Sequence, residues 1–158
     1  MNIEPTPPDA IQEAVVRHPF LDGMSLEHLD LLASHCERLR FDKGDLIFKQ
    51  GDPARHFYLI EIGLVVLTHA GLKHNVHIMT LEPGEALGWS WLFPPYAWHF
   101  NATAMDPSNV LRFDGERLRA LCREQPGFGM ELMSRVARVV IDRLQKTRKK
   151  YLSLAGES

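Results

Sequence analysis

Cysteine is scarce in this chain. Only Cys36 and Cys122 occur among 158 residues, with no Cys-x-x-Cys pair, which excludes a ribbon-type zinc site, a Cys-held iron-sulfur cluster and the disulfide framework of a small secreted domain. A reducing cytoplasm is the expected setting. An excess of charge of one sign is also lacking: 18 Lys and Arg stand against 20 Asp and Glu, a formal net charge of −2. The opening MNIEPTPPDA has acids and prolines where a secretory signal needs a basic start and an apolar run. Uninterrupted apolar helix is missing as well. The twenty residues Ala86–Met105 carry no Asp, Glu, Lys or Arg, close to the length of a membrane span. The pair Pro94-Pro95, with Ser90, His99, Asn101 and Thr103, would break such a helix. The stretch is expected to be protein interior, with no membrane span.

What is present describes one domain, residues 1–158, long enough to bury a core without staples. Three zones follow from periodicity: a helical lead over 9–38, a β region over 40–114 and C-terminal helices over 115–152. In the lead, Asp9 reads as the cap of a helix bearing Ile11, Ala14 and Val15, and His18-Pro19 ends it. Ser25 can cap a second helix with Leu26, Leu29, Leu32, Ala33 and Cys36 on one face. Six short strands are then expected at 46–48, 57–62, 64–69, 74–81, 100–104 and 110–113, turned by Gly, Pro and Asp as in an antiparallel sandwich or barrel. A short helix over 116–122 is interrupted at Pro126-Gly127. Beyond it, Met133, Val136, Val140, Leu144, Thr147 and Tyr151 form a heptad-like stripe. Seven bases against one acid fill Arg135–Lys150. Such a run suits a solvated helix end, or non-specific attraction to an acidic surface.

The run FDKGDLIFKQGDPARHFYLIEIGLVVL, Phe41–Leu67, closely resembles the start of the cyclic-nucleotide-binding domain of the catabolite-activator (Crp/Fnr) type. Gly44-Asp45, Ile47-Phe48, Gly51-Asp52, Phe57-Tyr58, Ile60 and Gly63 carry the likeness, with a later turn at Pro83-Gly84. The resemblance covers about residues 18–145. It implies a mainly β fold with flanking α: an antiparallel eight-stranded jelly-roll barrel, N-terminal helices and a long C-terminal helix. It also implies a stand-alone regulatory or sensory module, not an enzyme, that dimerises through the last helix at Met133, Val136, Val140 and Leu144.

In that family a short helix begins at a Gly-Glu pair whose Glu holds the ribose, and a later Arg grips the cyclic phosphate. Here the frame survives with other side chains: Trp89 stands in place of the Glu and Trp98 in place of the Arg. The cassette positions Gly88, Trp89, Ser90, Trp91, Trp98 and His99 are therefore the candidate ligand site. Its natural ligand is unidentified, and cAMP and cGMP are expected to bind weakly at best. The segment Trp89–Phe100 holds six of the chain's fourteen aromatics and all three tryptophans. Two readings stay open: a pocket or contact surface for a small molecule or protein partner, and filler of the old nucleotide cavity.

Three other chemistries compete. A cupin-like metalloenzyme needs His-x-His on one strand face, whereas His74 and His77 are three apart and would face opposite ways; no metal site is expected. Haem ligation lacks a His or Cys right after Gly88. Sequence-specific nucleic-acid reading lacks a helix-turn-helix after the long final helix. The alternative to a sensory role is a ligand-free association scaffold using the aromatic segment and the final helix.

Overall fold

The computed structural model describes residues 2–157. Eight strands form two four-stranded antiparallel sheets, one ordered β1-β2-β8-β4 and the other β3-β7-β5-β6. The strands are β1 (Asn2–Glu4), β2 (Cys36–Phe41), β3 (Leu46–Phe48), β4 (His56–Ile62), β5 (Val65–Ala70), β6 (Asn75–Leu81), β7 (Asn101–Ala104) and β8 (Ser108–Asp114). Helices α1 (Pro8–Arg17) and α2 (Leu26–Ala33) lead, and α3 (Gly115–Glu124) and α4 (Pro126–Leu154) close the chain. Each of the six expected strands appears within two residues of its expected ends. The expected single closed barrel is instead two separate four-stranded sheets, and isolated bridges join Pro53 to Ala97 and Leu59 to Ala86. They share one core, to which β4 gives Phe57, Leu59 and Ile60, and β5 gives Val65 and Leu67.

The lead differs from its expected form in two places. Cys36 does not continue the second helix: α2 ends at Ala33, and Cys36 opens β2, paired with Phe113 of β8. The apolar spacing from Leu26 to Cys36 is helical by coincidence, because Cys36 is a half-buried strand residue, while Leu39 and Phe41 form the buried face of β2. Burial pushes the Cys36 thiol up to about 12, aided by the nearby Glu61, so it is an inert thiol. Asp9 also does not cap α1; the helix starts at Pro8, with proline tolerated in its first turn, and Asp9 lies inside that turn. Ser25 does cap α2, its hydroxyl accepting from His28 N at 3.3 Å. Strand β1 carried no signal, because three residues are too few for a period.

Gly63 joins β4 to β5 at φ +97°, and a Cβ there would lie 2.1 Å from Ser108 Oγ, so both its conformation and its space require glycine. The lead is tied to β4 by His18, buried at 4% exposure. Its Nδ1 accepts from Phe20 N at 3.2 Å, so Nε2 carries the proton and donates to Ile60 O at 2.7 Å. Burial lowers its pKa, while the Ile60 bond and Glu61 oppose that shift. Glu61 is itself held by a two-pronged bond from Arg38 at 2.8 and 2.9 Å. Because the folded pKa is depressed, the unfolded chain takes up the proton first. Stability linked to His18 is therefore full above about pH 6.5 and is lost as pH falls below that value. Urea unfolding of wild type and His18→Gln should show a wider stability gap at pH 7.5 than at pH 5; an equal gap at both rejects the assignment.

Candidate functional site

Residues 82–100, between β6 and β7, fold inward without forming the short helix that the resemblance implies; among the described residues they hold only turns and isolated bridges. Their first half runs beside β4, with Gly84 N donating to Ile60 O, Ile60 N to Glu85 O and Leu87 N to Tyr58 O, at 2.9 to 3.0 Å. Their second half runs beside the β3–β4 turn, where Gly51 N donates to Trp98 O and Trp98 N to Asp52 O, at 2.8 and 3.0 Å. The turn chemistry of Gly51-Asp52-Pro53 thus also anchors the cassette.

The six candidate residues separate into an inner and an outer group. Gly88, Ser90, Trp91 and Trp98 are buried, Trp89 is half-buried, and His99 is exposed. Trp98 is 4% exposed and stacks on Phe48 with ring centroids 3.7 Å apart and planes 7° apart. Tyr58 and Phe100 flank the pair. Gly88 makes room for this arrangement, since a Cβ there would stand 3.1 Å from the Trp98 ring. Trp91 is fully buried against Phe57 at 5.0 Å and donates Nε1–H to Gly88 O at 3.2 Å. The position given to the phosphate-gripping Arg thus holds an indole packed into the core.

Two arginines outside the cassette complete the site, and sequence reasoning missed both. Arg119 of α3 donates to Trp91 O and lays its guanidinium 4.1 Å from the Tyr96 ring centre. Arg143 of α4 is only 7% exposed. It donates from Nη1 to Leu87 O at 3.2 Å and from Nη2 to Ala86 O, and its guanidinium lies 5.5 Å from the Trp89 ring centre. Burial lowers the Arg143 pKa, partly opposed by Glu85 and Asp142. Arg143 sits in a basic run and shares the helical spacing of Val136 and Val139, a weak signal that one base of the run faces inward.

The C-terminal stripe also divides. Val136 is turned into the core at 3% exposure, and Val140 is half-buried against it. Met133 and Leu144 stand 39% and 63% exposed. Of the histidine pair, His74 lies in the β5–β6 turn, and His77 in β6 bonds Thr80 Oγ1 at 3.0 Å. Among the described residues no three His, Cys, Asp or Glu side chains converge as metal ligands, and no helix is long and apolar enough to cross a membrane.

Residues 38–125 match the family of the cyclic nucleotide-binding domain. The cyclic AMP receptor protein of Thermus thermophilus is 31% identical over 122 residues, which are 76% of this chain and 56% of that protein, so the chain spans little more than half of this relative. The solved catabolite activator protein of Thermus thermophilus aligns with TM-score 0.68 at 28% identity, over 87% of this chain and 63% of that one. A cyclic nucleotide-binding domain from Methylobacillus flagellatus shares the fold, with TM-score 0.77 at 18% identity over 92% and 83% of the two chains. With its two antiparallel sheets, inward cassette and long closing helix, this chain belongs to the cyclic nucleotide-binding domain family.

Proposed function

We propose that this chain is a non-catalytic regulatory and sensory domain of the cytoplasm, that its inherited nucleotide cavity is filled by its own aromatics, and that it works as a homodimer through α4. The observation that carries the reading is the Trp98–Phe48 stack. An indole occupies the place of the family's phosphate-binding Arg, and no other base lies in the charge-free stretch. Loss of one partner from a buried charge pair costs about 3 to 5 kcal/mol, or roughly two to three and a half decades of affinity. The missing Glu adds to the loss.

Dimerisation rests on the outer face of α4. Met130, Ala137, Leu144 and Tyr151 recur every seven residues, and Met133, Val140, Thr147 and Leu154 follow each by three, which gives a and d positions of one heptad register. Most of these side chains are exposed, from Met133 at 39% to Leu154 at 81%. Val136, named above with the interface, belongs to the inner face instead. Exposed apolar side chains in heptad register along a 29-residue helix favour a second copy of the same helix. The reading of an association scaffold keeps one observation of its own. A cleft of about 290 Å³ is lined only by apolar side chains, among them Trp89, Phe93, Met133, Ala137 and Ile141, where the aromatic segment meets α4.

Three measurements follow. Titration calorimetry with cAMP and cGMP should give no binding at low-micromolar Kd; tight binding would overturn the filled-cavity reading. Trp98→Ala should lower unfolding stability by about 3 to 5 kcal/mol through the cavity left behind Phe48, whereas Trp89→Ala, on a half-buried ring, should cost far less; equal losses would contradict the packing argument. Light scattering at high micromolar concentration should give a dimer mass for wild type and a monomer mass for Leu144→Asp, with the variant's circular dichroism intact. A monomeric wild type rejects the interface.

A further inference from the structure

Among the described residues, six of the sixteen large apolar side chains that stand exposed lie on α4: Met130, Met133, Ile141, Leu144, Tyr151 and Leu154. Exposed apolar residues scattered singly need no explanation, but a gathering on one helix marks an interaction surface. Five of the six are a or d positions of the heptad register given above. The sixth, Ile141, is an e position and stands 57% exposed. In a coiled pair the e and g positions flank the seam and are often charged, so a heptad seam alone does not account for an isoleucine at e.

The cleft of about 290 Å³ between the aromatic segment and α4 supplies the reason. It is lined by the seam positions Met133, Ala137 and Val140, by Val136 at g and Ile141 at e on opposite sides of the seam, and by Trp89 and Phe93. The cleft therefore opens on the seam. Ala137 is the smallest side chain of the stripe, so a parallel pair in this register sets alanine against alanine and leaves the seam thin at that level. Phe93 is 45% exposed although its ring borders this apolar space.

Symmetry decides what can enter. When two parallel helices pair in register, a g position of one faces the e position of the next heptad in the other. Val136 closes the heptad before the one that holds Ile141, so the partner's Ile141 is directed at the side of the cleft that Val136 lines. In an antiparallel pair e would face e and g would face g, and no isoleucine would reach Val136.

We infer that the cleft is completed by a second copy of this chain: the partner's Ile141 seats against Val136, Trp89 and Phe93, and the two-fold axis repeats the contact on the other side. The inference rests on the reading of α4 as the dimer helix, and adds to it a parallel orientation and a part for the aromatic segment. The next flanking pair, Arg143 with the partner's Arg148, joins like charges, and Arg143 is turned instead to Ala86 O and Leu87 O. The apolar contact at Ile141 is therefore what holds this flank of the seam. Because Trp89 belongs to the cassette, pairing would also cover one candidate ligand residue of each copy.

Sedimentation over a dilution series gives the dimer Kd. Ile141→Ala and Phe93→Ala, both at exposed side chains, should each weaken it about tenfold or more with circular dichroism unchanged, and Arg148→Ala, at the next e position, should not weaken it. The contact itself is read by mixing Phe93→Cys with Ile141→Cys under mild oxidation. A disulfide joining one copy of each should exceed the background set by wild type, which keeps Cys36 and Cys122. A wild-type dimer whose Kd is unchanged in Ile141→Ala, an equal loss in Arg148→Ala, or a mixture without the mixed disulfide would each overturn the inference and leave the α4 dimer in place. A monomeric wild type would overturn both, so the two failures are told apart.

Discussion

A loop carried into a protein interior must find partners for its main-chain N–H and C=O groups, because water no longer supplies them. Residues 86–98 meet this constraint without one charged side chain of their own. Tyr58 O receives Leu87 N, and Trp98 exchanges two bonds with the turn at Gly51-Asp52. Ala86 O, Leu87 O and Trp91 O are answered by arginines from the two closing helices. The indoles can pack as core only because the backbone beneath them is paired in this way. The same pairing fastens the cassette to both α3 and α4.

Trp89 belongs to the same arrangement. Arg143 faces the Trp89 ring, and a cation–π contact supplies about 0.5 to 2 kcal/mol. Leaving a buried charge without its counter-charge costs more than that, about 3 to 5 kcal/mol. The ring therefore compensates Arg143 only in part, and the two carbonyls carry much of the remainder. The unpaired Nε and the lowered pKa are two signs of the same shortfall.

Much of this was legible in the sequence, and the failures have a common physical form. Strands β3 to β8 announced themselves because glycine and proline turns bracket runs of β-branched and aromatic residues, which fixes both their number and their ends. The crowding of aromatics between Trp89 and Phe100 was legible too, since it is a matter of composition. What the sequence did not reveal was direction. Cys36 kept helical spacing while belonging to a sheet, Val136 sat in a stripe whose neighbours face outward, and Arg143 was one base among seven. In each case the residue type fits either environment, and only the packing of a distant element decides. Arg119 lies in an ordinary amphipathic helix, and the carbonyl it serves is 28 residues away.

Helix α4 is where these threads meet, because its faces serve different partners. Phe128, Leu132, Val136 and Arg143 turn inward, and Arg143 reaches the cassette. Met130, Met133, Leu144 and Tyr151 turn outward in heptad register. Ser134, Arg138 and Asp142 line a second cleft beside the Gly84 turn. A rigid helix cannot shift one face without shifting the others, so a change at the cleft is felt at the cassette and at the outer stripe together. With Trp91 and Trp98 buried in the core, this helix is the element that joins the cassette, through Arg143, to the outer surface of the domain.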